Sequence, residues 1–334
     1  MKPVGRPCLM ALVALLPVYG HADHPMAVFG HEHSGPITTI SAATLSKGSV
    51  ALGLRTESIS FDAFSDAELR NFAAQGLEGV HSVKRLTSTS IAFSYGLTDN
   101  FTVSIRQPYI KRTNIREGEL EAGIPEAHTH GNSSGFGNIA TLGQYRFYHN
   151  NHTQVAALFG VTFPTGKNNQ TDVSGVRFET EFQPNSGATN YHAGFSLSQN
   201  YSHASLHANV LFYITETGDA ATKIGNAAFY NLALVYPLAT KAHAHSKQDS
   251  AKHQHLKWAL VLELNGESRR RDAVAGLSDT HSGGTQVYVS PGFRVSSDSK
   301  WSAFFSLGLP VVQNLRGIQT EADYRLVVGI SYGF

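Results

Sequence analysis

The chain has 334 residues, 41% hydrophobic and only 15% charged, with 26 basic against 25 acidic side chains. So even a balance offers no basic surface for nucleic acid, and no such partner is expected. Mean hydropathy is −0.17, and no internal run approaches the roughly 18 apolar residues of a membrane helix, which excludes a helical membrane protein.

In chain order, the first segment reads as a secretory signal. Lys2 and Arg6 precede the apolar stretch CLMALVALLPV, and GHA at 20–22 supplies a small-x-small cleavage pattern. Residues 1–22 are therefore expected to be removed. Cys8, the single cysteine, leaves with them, so the mature chain forms no disulfide. Residues 23–48 carry no strand pattern. They are expected to form an N-terminal periplasmic segment, or a plug at the periplasmic mouth of a barrel built from the rest of the chain.

Residues 49–334 read as strand after strand. In FTVSIRQPY, Phe101, Val103 and Ile105 alternate with Thr102, Ser104 and Arg106. KWALVLELNG sets Trp258, Leu260, Leu262 and Leu264 against Glu263 and Asn265. The last segment, YRLVVGISYGF, places Tyr324, Leu326, Val328, Ile330, Tyr332 and Phe334 on one face. Period-two alternation over about 9–11 residues is the length of a tilted strand crossing a bilayer. Some twelve such segments begin near 50, 87, 101, 137, 153, 189, 204, 227, 257, 285, 301 and 323. An apolar face alternating with a polar, Gly-rich one predicts an all-β fold: a transmembrane antiparallel up-and-down β-barrel of about twelve strands.

Short turns of Asn, Asp and Ser at 98–100, 149–151, 201–203 and 296–299 alternate with longer polar loops near 61–85, 112–136, 165–188, 216–226, 268–284 and 312–322. Bacterial barrels put short turns in the periplasm, and an even strand count puts both termini there too. The expected location is the outer membrane of a Gram-negative bacterium. The expected partners are its lipid, the barrel-assembly machinery acting on the strand that ends at Phe334, and a small-molecule or ion solute. Within the first long loop, Ser65 and Glu68 form a capping box, and Gly76 is placed to stop the helix it starts.

Two stretches carry a family resemblance. SGFGNIATLGQYRF, 134–147, resembles the GxGD strand of the outer-membrane proteins named for the meta-pathway of phenol degradation, with Asn138 where that family usually has Asp. GVTFPTGKNN, 160–169, resembles the same family's Gly-x-x-x-Pro-Thr-Gly strand end. The resemblance covers roughly 50–334. It implies a barrel transporter, distantly similar to hydrocarbon and fatty-acid outer-membrane channels, and says little about cargo.

Two sets of residues are candidates for chemistry. Alternation directs Arg55, Glu57, Arg106, Gln144, Arg146, Glu263, Arg294 and Arg325 into the lumen, where charges tune selectivity. Five arginines against two glutamates predict a basic solute pathway; packed Arg–Glu ladders filling the barrel are the alternative.

Histidines form the second set. Sixteen follow the signal, eight of them in the His-x-His pairs His31/His33, His128/His130, His243/His245 and His253/His255. Residues i and i+2 of an extended chain point the same way, so each pair can present two imidazoles together. No cofactor is required, but Zn, Cu or Ni would suit such ligands. The strand count puts the oversized His-rich turn 241–257 and the N-terminal histidines at the periplasmic mouth. His31, His33, His243, His245, His253 and His255 are the candidate ligands there, against the alternative of a solvated polar loop. The leading functional reading is a channel for a small solute, possessing no enzyme motif. A structural or adhesive barrel and a barrel enzyme are the alternatives.

Overall fold

The computed structural model describes residues 35–77, 80–238, 256–298 and 300–334. Twelve strands make the wall: β1 (Val50–Phe61), β2 (Arg85–Thr98), β3 (Phe101–Glu121), β4 (Ile139–His149), β5 (Thr153–Phe163), β6 (Asn190–Asn200), β7 (Ser205–Thr215), β8 (Ala227–Leu238), β9 (Leu256–Arg269), β10 (Gly284–Ser297), β11 (Trp301–Leu315) and β12 (Ala322–Gly333). Each is antiparallel to its neighbours. β1 pairs with β12, from Ala51 opposite Gly333 to Phe61 opposite Ala322, and this closes the ring. Closure is what lipid demands, because an open edge would leave backbone groups unpaired with no water to satisfy them. Among the described residues no helix is long and apolar enough to cross a membrane.

Alternation decides which side faces lipid. Leu260, Leu262 and Leu264 on β9 are 51%, 49% and 44% exposed, whereas Val261, Glu263 and Asn265 between them are buried. Ile91 and Phe93, Tyr191 and Phe195, and Val328 and Ile330 continue the outward apolar band around the ring. A patch of this extent would aggregate a soluble protein. Arginine at Leu262, near the middle of β9, should therefore destabilise the barrel by about 2–4 kcal/mol in vesicles. Denaturant unfolding in lipid reads this directly; no loss of stability would mean that this face does not meet lipid.

The short turns and both ends of the ring lie at one end, where the Phe334 amide donates to the Val50 carbonyl. We call this the turn end, and the opposite one the loop end. Leu238 and Leu256, which flank the His-rich turn, also terminate their strands at the turn end, as the strand count requires.

The loop end departs from expectation. Instead of an irregular loop at 112–136, β3 continues to Glu121, turns through Ala122 and Gly123, both with positive φ, and returns as Ile124–Phe136. Its outer ten or so residues project on the order of 30 Å at the usual strand rise. The sequence hides this hairpin because IREGELEAGIPEAHTHG has no apolar face to alternate. Helix α1 (Asp66–Ala74) forms with the expected box: Ser65 Oγ accepts from the Glu68 amide, and the Glu68 carboxylate accepts from the Ser65 amide. Leu69 and Ala73 are buried on its inner face. α1 packs so closely on the hairpin that a Cβ at Gly118 would lie 2.2 Å from the Leu69 carbonyl oxygen. The loop 164–188 folds inward, and its Phe178 and Phe182 join Ile59, Phe61, Leu86 and Ile110 in an apolar cluster at the loop end.

Candidate functional site

The lumen is occupied by the chain's own residues 35–47. The segment runs from the turn end to the middle of the barrel and back before entering β1. At its apex the amides of Ile37, Thr38 and Thr39 all donate to the Glu263 carboxylate at 3.0 Å. Three successive amides converging on one anion neutralise a buried charge with fixed dipoles. On the incoming arm, Arg294 donates to the carbonyls of Gly35 and Pro36 at 3.1 and 2.7 Å, while Arg55 donates to that of Ile37 at 2.8 Å. On the outgoing arm, the Ile40 amide reaches Asn209 Oδ1, the Ala42 amide reaches Ser198 Oγ, and Gln144 Nε2 donates to the Ser41 and Ala43 carbonyls. Thr102 Oγ1 takes the Leu45 amide near the rim.

Packing completes the seat. Ile37 is buried among the inward-facing Val235, Val261 and Val327, and Ile40 among Ala140, Leu142, Leu158, Leu211 and Phe229. Full burial of an isoleucine contributes about 1.5–3 kcal/mol. The lumen wall is therefore not uniformly polar, as alternation alone implied. It carries two apolar patches, each matched to one isoleucine. The sequence expectation set residues 23–48 at the mouth, whereas 35–47 reach mid-barrel, because the partners that satisfy their backbone lie there.

A hydrogen-bonded belt crosses the wall at the same level. Asn209, Asn231 and Asn265 sit opposite one another on β7, β8 and β9. Asn265 Nδ2 donates to Asn231 Oδ1 at 3.1 Å, and Asn231 Nδ2 to Asn209 Oδ1 at 3.2 Å. Asn265 Oδ1 also accepts from Arg325 and from Ser290 Oγ. Arg325 is fully buried, lies 4.6 Å over the Tyr288 ring and stands 3.9 Å from Glu57, which in turn is 3.5 Å from Arg55.

On either side of this belt lies a cavity. The turn-end one, about 420 Å³, is bounded by Arg294, His207, Lys257 and Trp258 beside the inserted segment. The loop-end one, about 150 Å³, is lined by Arg106, Arg112 and Arg269 and covered by Thr180, Gln183 and Pro184. Arg112 Nη1 donates to the carbonyls of Phe182 and Gln183, which ties the cover to the wall.

All eight lumen residues expected from the sequence face inward. Seven of them are buried: Arg55, Glu57, Arg106, Gln144, Glu263, Arg294 and Arg325. Arg146 differs, being half-exposed at the turn-end rim, where it binds Asn100 Oδ1, the Asp99 carbonyl and Gln154. Arg112, Glu267 and Arg269 are further inward charges, with Nε and Nη2 of Arg269 both donating to Glu267 Oε1. Continuing the alternation two residues at a time past Ile110 and Asn265 reaches them, so their signal was present. Among the described residues the buried lumen charges are six arginines against three glutamates.

The metal candidates His31, His33, His243, His245, His253 and His255 lie outside the described residues. The fourth His-x-His pair behaves otherwise than expected. His128 and His130 do not act together: His128 lies 3.7 Å from Glu121, whereas His130 joins His81 around Glu117 at the loop end. Burial disfavours a charged His81, but its hydrogen bond to Glu117 and the nearby Glu181 and Glu179 outweigh this and raise it to about 9. Burial would raise Glu117, but hydrogen bonding and attraction to His81, with His130, hold it below the usual carboxylate range.

No family model matches the chain, and no curated protein matches it in sequence. Among solved structures, an outer-membrane channel from Pseudomonas putida F1 aligns at TM-score 0.53 and 15% identity, covering 88% of this chain and 98% of that one. The KdgM porin in complex with disordered oligogalacturonate aligns at TM-score 0.42 and 10% identity, over 85% of this chain and 99% of that one. The NanC porin aligns at 0.43 and 9%, over 84% and 98%. The likeness to the Pseudomonas channel is one of fold. With the closed ring and apolar exterior, it makes this chain an outer-membrane β-barrel.

Proposed function

We propose that the protein is an outer-membrane channel for a small anionic or polar solute, held shut by residues 35–47 acting as a plug. The observation that carries this reading is the division of one arginine-bearing lumen into two cavities by a segment bound chiefly through its backbone. A barrel with only a structural or adhesive task has no need for paired cavities lined by arginines along its axis. The loop-end cavity, with Arg106, Arg112 and Arg269 converging, is the binding position we assign to the solute, and guanidinium groups suit carboxylate or phosphate.

Ion selectivity tests the reading. In planar bilayers under a KCl gradient, open events of the wild type should show an anion-selective reversal potential. Arg106→Gln should move that potential toward zero, since lumen charges set selectivity. A cation-selective wild type, or an Arg106→Gln variant with unchanged selectivity, would contradict the proposed pathway.

A further inference from the structure

At the loop end, strand Val80–Ser82, the projecting hairpin and the loop 164–188 enclose a separate pocket of about 160 Å³. Its two histidines share one carboxylate oxygen. His81 turns Nε2 to Glu117 Oε2 at 3.0 Å and Nδ1 toward Glu181 at 3.9 Å. His130 turns Nε2 to the same oxygen at 3.1 Å and Nδ1 to Asp172 at 3.2 Å. The His130 ring, with one nitrogen aimed at Glu117 and the other held by the Asp172 carboxylate, is oriented as proteins orient histidine toward a metal. Two more oxygens are near: Glu119 offers one within 4.8 Å of the ligand atoms of Glu117 and His130, and Glu179 one at 3.7 Å from His81 Nε2.

Charge points the same way. Five carboxylates (Glu117, Glu119, Asp172, Glu179, Glu181) meet two histidines, so even with both imidazoles protonated the sum is −5 + 2 = −3. Arg177 also borders the pocket, but its guanidinium is engaged by Asp219 and the Asn168 carbonyl. The donors come from three elements far apart in the chain, unlike a run of acidic residues on one solvated face.

We propose that this pocket binds a divalent transition metal, with His81, His130 and Glu117 as ligands and Glu119 or Glu179 completing the set. Asp172 is a positioning residue that fixes the His130 ring, and Glu181, 3.9 Å from His81 Nδ1, adds negative charge beside the other. Two imidazoles with carboxylate oxygens suit Zn(II) and its neighbours better than Ca(II) or Mg(II), which take oxygen ligands. The consequence is mechanical. Asp172 and Glu179 belong to the loop whose Phe182 and Gln183 carbonyls bind Arg112 over the loop-end cavity. An ion bridging this loop to the hairpin fastens the cover. The site is independent of which solute, if any, crosses the lumen.

Zinc titration by calorimetry, on the full chain refolded in detergent, tests the proposal. The wild type should bind one Zn equivalent more than His81→Gln/His130→Gln, and Asp172→Asn should keep that equivalent at about 10–100-fold weaker affinity. Deleting 243–255 should leave the equivalent in place, which separates it from zinc held by the His-rich turn. Each variant is checked for the heat-modifiable gel mobility of a folded barrel. If the double variant fails that check, Glu117→Gln replaces it, with the same loss expected. Equal zinc stoichiometry in wild type and a folded variant, or loss of all zinc on deleting 243–255, overturns the proposal.

Discussion

Glu263→Ala is expected to release the apex of the plug. The Ile37, Thr38 and Thr39 amides lose their shared acceptor at mid-barrel, where Glu263 itself is fully buried. A buried donor left unsatisfied costs about 1–3 kcal/mol. Three of them cost on the order of 3 kcal/mol even at the low end of that range. At about 1.4 kcal/mol per tenfold, amide exchange at residues 37–39 should accelerate roughly a hundredfold. Exchange at the β1–β12 seam should not change, because those hydrogen bonds belong to the barrel wall. Unchanged exchange at 37–39 would show that the carboxylate does not hold the apex. Glu263→Gln, which keeps an acceptor and drops the charge, should fall between the two.

Arg325→Met is the second large effect. It removes a fully buried guanidinium from Asn265, Ser290 and the face of Tyr288. Breaking a buried ion pair from one side costs about 3–5 kcal/mol, because the other charge stays behind. Here Glu57 keeps Arg55 at 3.5 Å, and Asn265 Oδ1 keeps the Ser290 hydroxyl, so the low end, about 3 kcal/mol, is expected. The unfolding midpoint in denaturant should fall with its slope unchanged. Adding Glu57→Gln should recover part of the loss, since the partner charge is gone. If the double variant is as unstable as the sum of the singles, Arg325 and Glu57 are not coupled.

The wall was legible because membrane strands repeat a two-residue rule. YRLVVGISYGF lies within one barrel strand and its terminal residue, and all twelve expected starts fall within two residues of an observed one. Ser65, Glu68 and Gly76 marked α1 through local chemistry, which needs no tertiary knowledge. The lumen charges were also readable, as side chains two apart share a face. Other features are products of the third dimension. Nothing local in residues 35–47 says that their amides meet Glu263, more than 220 positions away. Val261 and Val327 read as breaks in a polar face until Ile37 is seated between them. His81, His130 and Asp172 lie in three different expected loops, and only folding brings them to Glu117. The extended hairpin was missed for a different reason: it meets α1 and the 164–188 loop through close backbone approach and polar side chains, so neither face shows an apolar alternation.

The central claim is that residues 35–47 separate the two cavities of one lumen. Single-channel conductance of the wild type against a chain lacking 35–47, both shown to be folded by heat-modifiable mobility, tests it most directly. The plug reading predicts small or rare openings in the wild type and a larger, persistent conductance in the deletion, joining the two cavities of about 420 and 150 Å³. Equal conductance in the two would mean that the segment does not gate the lumen, and would contradict the account.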